Sequence, residues 1–189
     1  MEVAYQWCTF VYLNWNAMEK ERICWFAART RMGHELSVRN RLLELKEEHF
    51  IPTKKTMRMR NKRRKEVEVP IVPNLVFIRT TKSRACTLAN GGLPIFYLID
   101  HNTHTLLEVP SKQMDDFMRV LDWSPDSLCL SDVPLQVGQR VQIQKGELAG
   151  VEGTLLSLPT RTYVLVQLAG LLTAKVQVPK SYLVVLRAE

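Results

Sequence analysis

Two prolines, Pro70 and Pro73, stand at the mouth of the apolar run VPNLVFI and constrain this chain more than any other feature. A proline donates no backbone N–H and is excluded from a central ladder. The chain before residue 70 therefore lies outside the sheet that residues 74–80 enter. Just upstream, residues 54–65 read KKTMRMRNKRRK, eight Lys or Arg and no acid. Such a run cannot enter a core. With the strand-like FIPT at 50–53 before it and residues 67–69 resuming the alternation after it, the pattern predicts a β-hairpin arm protruding from a sheet edge. The whole chain holds 26 basic and 19 acidic residues, and without those eight cations the balance is 18 to 19. The entire net charge of +7 thus resides in one arm. Clustered Lys and Arg gain free energy by releasing counterions from a polyanion. The plainer alternative is a solubilising surface turn.

Taken in order, residues 24–30 (CWFAART) read as a buried strand that stops at Met32-Gly33. Residues 35–48 read as a helix with Val38, Leu42 and Leu45 at helical spacing. A strand begins at 50–53, the basic segment interrupts it, and residues 74–80 form the next. A short helix at 82–89 ends at Asn90-Gly91-Gly92, and residues 95–99 (IFYLI) are again a strand. Strand, helix, strand, strand, helix, strand is the split βαβ order of a ferredoxin-like sandwich, an α+β fold. Pro110-Ser111 caps a further helix whose stripe Met114, Phe117, Met118 and Leu121 reads as core. Asp115-Asp116 is placed in its first turn, where acids suit the macrodipole.

Residues 124–133 mix Pro, Ser and Asp without a period and read as a linker, the segment expected to be cut first by protease. Beyond it the pattern is all β: residues 140–144, 163–168, 173–178 and 182–186 suit strands, and Gly150 and Gly153 suit a tight turn. Pro159, Gly170 and Pro179 oppose a helical alternative. Five short strands in so few residues predict a small closed barrel. The expected organisation is an extension at 1–21, one domain at 22–123, the linker at 124–133 and a second domain at 134–189. The extension lacks the positive region and cleavage site of a signal peptide, and Met18 leaves open whether residues 1–17 are dispensable. No apolar run nears the roughly eighteen residues needed to span a bilayer. A cytoplasmic protein with no membrane partner is expected.

Enzymatic motifs are missing. There is no G-x-S-x-G, no H-E-x-x-H and no phosphate loop, and the glycines at 146, 150 and 153 have barrel-turn spacing. His101 and His104 lack a third ligand nearby in sequence, so neither a metal nor a cofactor is expected. Cys8, Cys24, Cys86 and Cys129 match neither a zinc knuckle nor a compact disulfide framework and read as thiols.

Residues 137–156, VGQRVQIQKGELAGVEGTLL, resemble a KOW motif: an alternating strand, Lys145-Gly146 at its end, then glycines turning into a second strand. Together with the WFAART strand and the VPNLVFI strand, the chain from about residue 23 to 186 resembles the NusG family of transcription elongation factors. Trp25-Phe26 match that family's first-strand motif, and Pro73-Asn74-Leu75-Val76-Phe77 match its P-x-Y-x-F strand. The basic insertion and FIPT are most similar to the specialised UpxY-type paralogues, antiterminators of polysaccharide biosynthesis operons.

The resemblance implies an NGN-type domain followed by an SH3-like KOW domain. It also implies that an apolar depression at Trp25, Phe26, Val72, Pro73 and Leu75 docks on the clamp helices of the RNA polymerase largest subunit. A second polymerase contact through hydroxyl residues falls on 83–87, where only Ser83 and Thr87 carry hydroxyls. Termination factor Rho or a small-subunit ribosomal protein is the implied partner of the KOW domain. On the residues' own chemistry, Lys54, Lys55, Arg58, Arg60, Lys62, Arg63, Arg64 and Lys65 are the candidate contacts to DNA or nascent RNA. The competing reading is a KOW-containing ribosome- or RNA-binding protein. Against it, residues 134–189 carry six basic and three acidic residues and few aromatics, which is no stacking platform for single strands.

Overall fold

The computed structural model describes residues 22–60, 63–124, 126, 128–129, 138–157 and 161–186. The expected extension, most of the expected linker and Lys62 lie outside the described residues. The fold is mixed α and β, with few helices and several sheets. Among the described residues no helix is long and apolar enough to cross a membrane.

Strand β1 (Cys24–Thr30) is the centre of the first sheet, because its side chains on both faces are apolar. It pairs antiparallel with β5 (Leu75–Thr80) along most of its length, Ala27 opposite Phe77 and Arg29 opposite Leu75. β2 (Glu48–Phe50) lies outside β5, and β6 (Ile95–Tyr97) and β7 (Glu108–Val109) flank β1 on its other side. Alternation sorts the core into two layers. Ala28, Val76 and Ile78 face Val38 and Leu42 of α1 (Glu35–Glu44) and Leu88 of α2 (Lys82–Asn90). Trp25, Ala27, Leu75 and Phe77 face Met114, Phe117, Val120 and Leu121 of α3 (Ser111–Trp123).

Several boundaries differ from the sequence reading. α1 stops at Glu44 rather than continuing to 48, because Lys46 takes a left-handed conformation (φ 58°) that turns the chain into β2. β2 precedes Ile51-Pro52 instead of starting at Phe50, so the arm is a separate pair of strands and not an interrupted β2. α3 begins at Ser111 with Pro110 at its cap position and no side-chain cap, which moves Asp115 and Asp116 out of the first turn. For α2 the cap is Thr81, whose hydroxyl accepts from Arg84 N at 3.3 Å.

The turn into β5 is held by a buried carboxylate. Glu35, 3% exposed, accepts a hydrogen bond from Asn74 N at 2.8 Å, and Asn74 O accepts from Thr30 N at 2.9 Å. Asn74 itself sits at φ 64°, a region that Asn tolerates better than most residues. Removing the acceptor leaves a buried N–H without a partner, so Glu35→Ala should cost about 1–3 kcal/mol in urea unfolding. Glu35→Gln, which keeps an acceptor oxygen, should cost clearly less. Equal losses for the two would assign the effect to packing alone.

The second sheet has six strands in the order Leu183–Val185, Arg140–Ile143, Glu152–Ser157, Thr162–Leu168, Leu172–Gln177 and Leu128–Cys129, all antiparallel. They are β8 (Leu128–Cys129), β9 (Arg140–Ile143), β10 (Glu152–Ser157), β11 (Thr162–Leu168), β12 (Leu172–Gln177) and β13 (Leu183–Val185), and a 3-10 turn at Lys180–Tyr182 leads into β13. β8 falls inside the segment expected as linker and pairs with β12, Thr173 opposite Cys129. Gly153, expected in a turn, is instead in β10. Gly150 (φ 90°) does make the turn.

This sheet packs against α3. Val151, Val164, Val166, Leu168 and Val176 share one apolar cluster with Met114, Phe117 and Val120. A polar row runs beside it. Arg119 donates to the carbonyls of Glu147 (2.7 Å) and Ala149 (2.9 Å), and Lys112 donates to Gly150 O (2.8 Å). Gln113 accepts from Ala169 N (2.9 Å), and buried Asp116 accepts from Glu152 N (3.1 Å) and from Lys112 (2.6 Å).

Candidate nucleic-acid interface

Strands β3 (Thr53–Arg60) and β4 (Arg63–Pro70) form a two-stranded sheet of their own, paired from Thr53 opposite Pro70 to Arg60 opposite Arg63. Eight residues per strand make an arm about 26 Å long at 3.3 Å per residue. Its base closes where Ile71 N donates to Pro52 O at 2.8 Å. The two prolines thus define the place where the chain leaves the arm, as their missing N–H groups require.

The base is fixed on both sides by charge. Glu68 accepts from Arg39 of α1 and from the Thr53 hydroxyl, each at 2.6 Å. The Arg39 hydrogen bond, helped by Thr53, holds the Glu68 carboxyl below its ordinary range. On the opposite side Lys54 pairs with Asp126 at 2.9 Å. Toward the tip the pairing thins. Lys55 approaches Glu66 at 3.8 Å, and Arg58, Arg63, Arg64 and Lys65 are exposed with no ion pair among the described residues. The strands therefore gather seven of the eight candidate cations on one arm, and Lys62 lies outside the described residues.

The candidate polymerase contacts are placed differently. Trp25, Phe26, Val72 and Leu75 are all buried, and Pro73 alone of the five is exposed. Trp25, Val72 and Leu75 belong to the cluster under α3, whereas Phe26 packs edge-on against Tyr97 at 6.2 Å. Burial pushes the Tyr97 phenol upward. Sequence reasoning missed Phe96. Directly across β1 from Leu75 by way of Arg29, it shares their face of the sheet and is 66% exposed. Its signal was hidden in an all-apolar run, IFYLI, which shows no alternation. Within α2, Thr87 donates its hydroxyl to Ser83 O at 3.0 Å, so that hydroxyl is already engaged.

At the sheet edge Glu108 gathers Arg22 (3.0 Å) and Lys82 (3.1 Å). Partial burial there opposes ionisation, but the Lys82 and Arg22 contacts outweigh it and lower the Glu108 carboxyl.

Comparison with known proteins adds a family model described as "Transcription termination factor nusG", which matches residues 23–118. Among solved structures, the one described as "Domain interaction in Thermotoga maritima NusG" is similar at 15% identity and a TM-score of 0.47, over 86% of this chain and 96% of that one. The "Crystal Structure of MjSpt4:Spt5 complex conformation B" is similar at 12% identity and a TM-score of 0.27, over 87% and 97%. A comparison with curated protein sequences found no match.

Proposed function

The chain belongs to the NusG family, whose model spans slightly more than half of it, and from that premise we propose a transcription antitermination and elongation factor that binds RNA polymerase. In this reading the first sheet with α1–α3 is a ferredoxin-like NGN-type domain, and residues 138–186 hold a KOW domain of SH3-like type. The protein acts in the cytoplasm without catalysis, by holding polymerase and nucleic acid together. The specialised UpxY-type role at a polysaccharide biosynthesis operon rests on the basic insertion and on FIPT. Rho or a small-subunit ribosomal protein is the corresponding partner of the KOW domain.

The observation that supports the reading is the arm: eight of the chain's 26 basic residues fall within residues 54–65, and Arg58, Arg63, Arg64 and Lys65 have no ion pair among the described residues. Docking on the polymerase clamp helices would use the exposed edge of the α3-covered sheet face, with Pro73 and Phe96 as contacts over the buried Trp25, Val72 and Leu75. The competing assignment, direct RNA binding by the second sheet, is weakened by Tyr163. One face of its ring is covered by Lys175 Nζ at 4.1 Å, which leaves less of it for stacking on a base.

Replacing Lys62, Arg63, Arg64 and Lys65 with Gln should leave thermal stability within about 0.5 kcal/mol, since surface changes seldom do more. In transcription assays with RNA polymerase the same variant should lose terminator readthrough. Wild-type readthrough from it would reduce the arm to a solubilising turn and remove the main support for this function.

A further inference from the structure

The register of the hairpin divides its charges unequally. Residues directly opposite in an antiparallel pair share a face. One face carries Arg58 opposite Lys65, with Arg63 next along the strand and Lys54, Thr56, Val67 and Val69 toward the base. It contains no carboxylate, and its only ion-paired cation among the described residues is Lys54, at the base with Asp126. The other face carries Lys55 and Arg64 together with Glu66 and Glu68, so two cations share it with two carboxylates. Between them stand Met57 and Met59, 62% and 68% exposed.

Building on the proposed function, we infer that the arm is a one-sided binder: the Arg58–Arg63–Lys65 face seats against the phosphates of double-stranded nucleic acid, and the Met57–Met59 face turns away from them. Like charges directly opposite each other, as at Arg58 and Lys65, destabilise a free ribbon. An anion between them reverses the sign of that contact. On the other face Glu66 lies 3.8 Å from Lys55 and Glu68 is held by Arg39, and both carboxylates would repel phosphate.

The choice of a duplex follows from what the arm lacks. Residues 53–70 contain no Phe, Tyr or Trp, so the arm offers no ring on which an unpaired base could stack. A two-stranded ribbon does match the dimensions of a duplex groove, and closely spaced cations match its dense phosphates.

The test compares two variants of the full chain that lose the same charge, Arg58→Gln/Lys65→Gln and Lys55→Gln/Arg64→Gln. Binding is measured to a mixed-sequence DNA duplex of about two helical turns and to the corresponding single strand across a salt titration. Losing two phosphate contacts should flatten the slope of log affinity against log salt by about 1.8 for the first pair, and weaken duplex binding at low salt by about tenfold or more. The second pair should change the slope by under about 0.5. Equal effects from both pairs would overturn one-sidedness while leaving nucleic-acid binding by the arm intact. Single-strand binding as tight as duplex binding would overturn the choice of duplex. A wild-type protein whose duplex affinity ignores salt would remove the proposed function of the arm together with this inference.

Discussion

Phe117→Ala should lower the stability of the folded chain by about 3–5 kcal/mol, the range for removing a fully buried aromatic ring. Phe117 is completely buried in α3, in the cluster that joins Trp25 and Phe77 of the first sheet to Val164 and Val176 of the second. The ring has no room to be replaced by solvent, and rigid strands lie beyond it, so the cavity cannot collapse fully. At about 2–4 °C per kcal/mol for a chain of this size, the midpoint should fall by about 10 °C. Trp123→Ala supplies the control. Trp123 belongs to the same helix but is 55% exposed, and its loss should stay near 0.5 kcal/mol. Similar shifts for both variants would show that α3 does not bridge the two sheets.

Gly153→Ala should cost about 3 kcal/mol despite adding a single methyl group. Gly153 pairs with Val141 on β9, and a Cβ on it would stand 2.5 Å from Leu165 O and 2.6 Å from Val164 Cγ1 on β11. The nearer obstacle is backbone held by the β10–β11 ladder, with Thr154 opposite Leu165, so relief requires two strands to shift. Gly170→Ala is the informative comparison. Gly170 has open space around the position of a Cβ, but its φ is 71°, so the cost is only that of a left-handed Ala, about 1 kcal/mol. Denaturant unfolding that ranked Gly170→Ala above Gly153→Ala would contradict the close approach of β10 and β11.

The arm was legible in the sequence because two local rules agreed on it. Charge kept residues 54–65 out of any core, and the prolines stated where the ladder had to end. The central strands were legible for a similar reason, since apolar residues on both faces of β1 and β5 can be satisfied only in the middle of a sandwich. β7 was not legible, as Glu108–Val109 is too short to show a period, and its place is set by pairing with Trp25 and Phe26. The expected tight turn at Gly153 failed because composition cannot distinguish a glycine needed for its φ from one needed for lack of a Cβ. Asp116 was assigned to a helix terminus, whereas its carboxylate ties α3 to Glu152 N. That contact joins residues 36 positions apart, which no local pattern announces. Trp25, Val72 and Leu75 lie in one apolar cluster, but whether such a group is covered is decided by tertiary packing, and α3 covers these three.

A final consequence of the arm is kinetic. Because the rest of the chain is nearly neutral, the field felt at a distance is that of the hairpin alone, set out from the body by its own length. If the arm binds nucleic acid as proposed, this field would favour encounters in which the arm makes the first contact and the body follows. Such pre-orientation raises the encounter rate and leaves the lifetime of the finished complex to short-range contacts. Added salt should then slow arrival much more than it hastens departure.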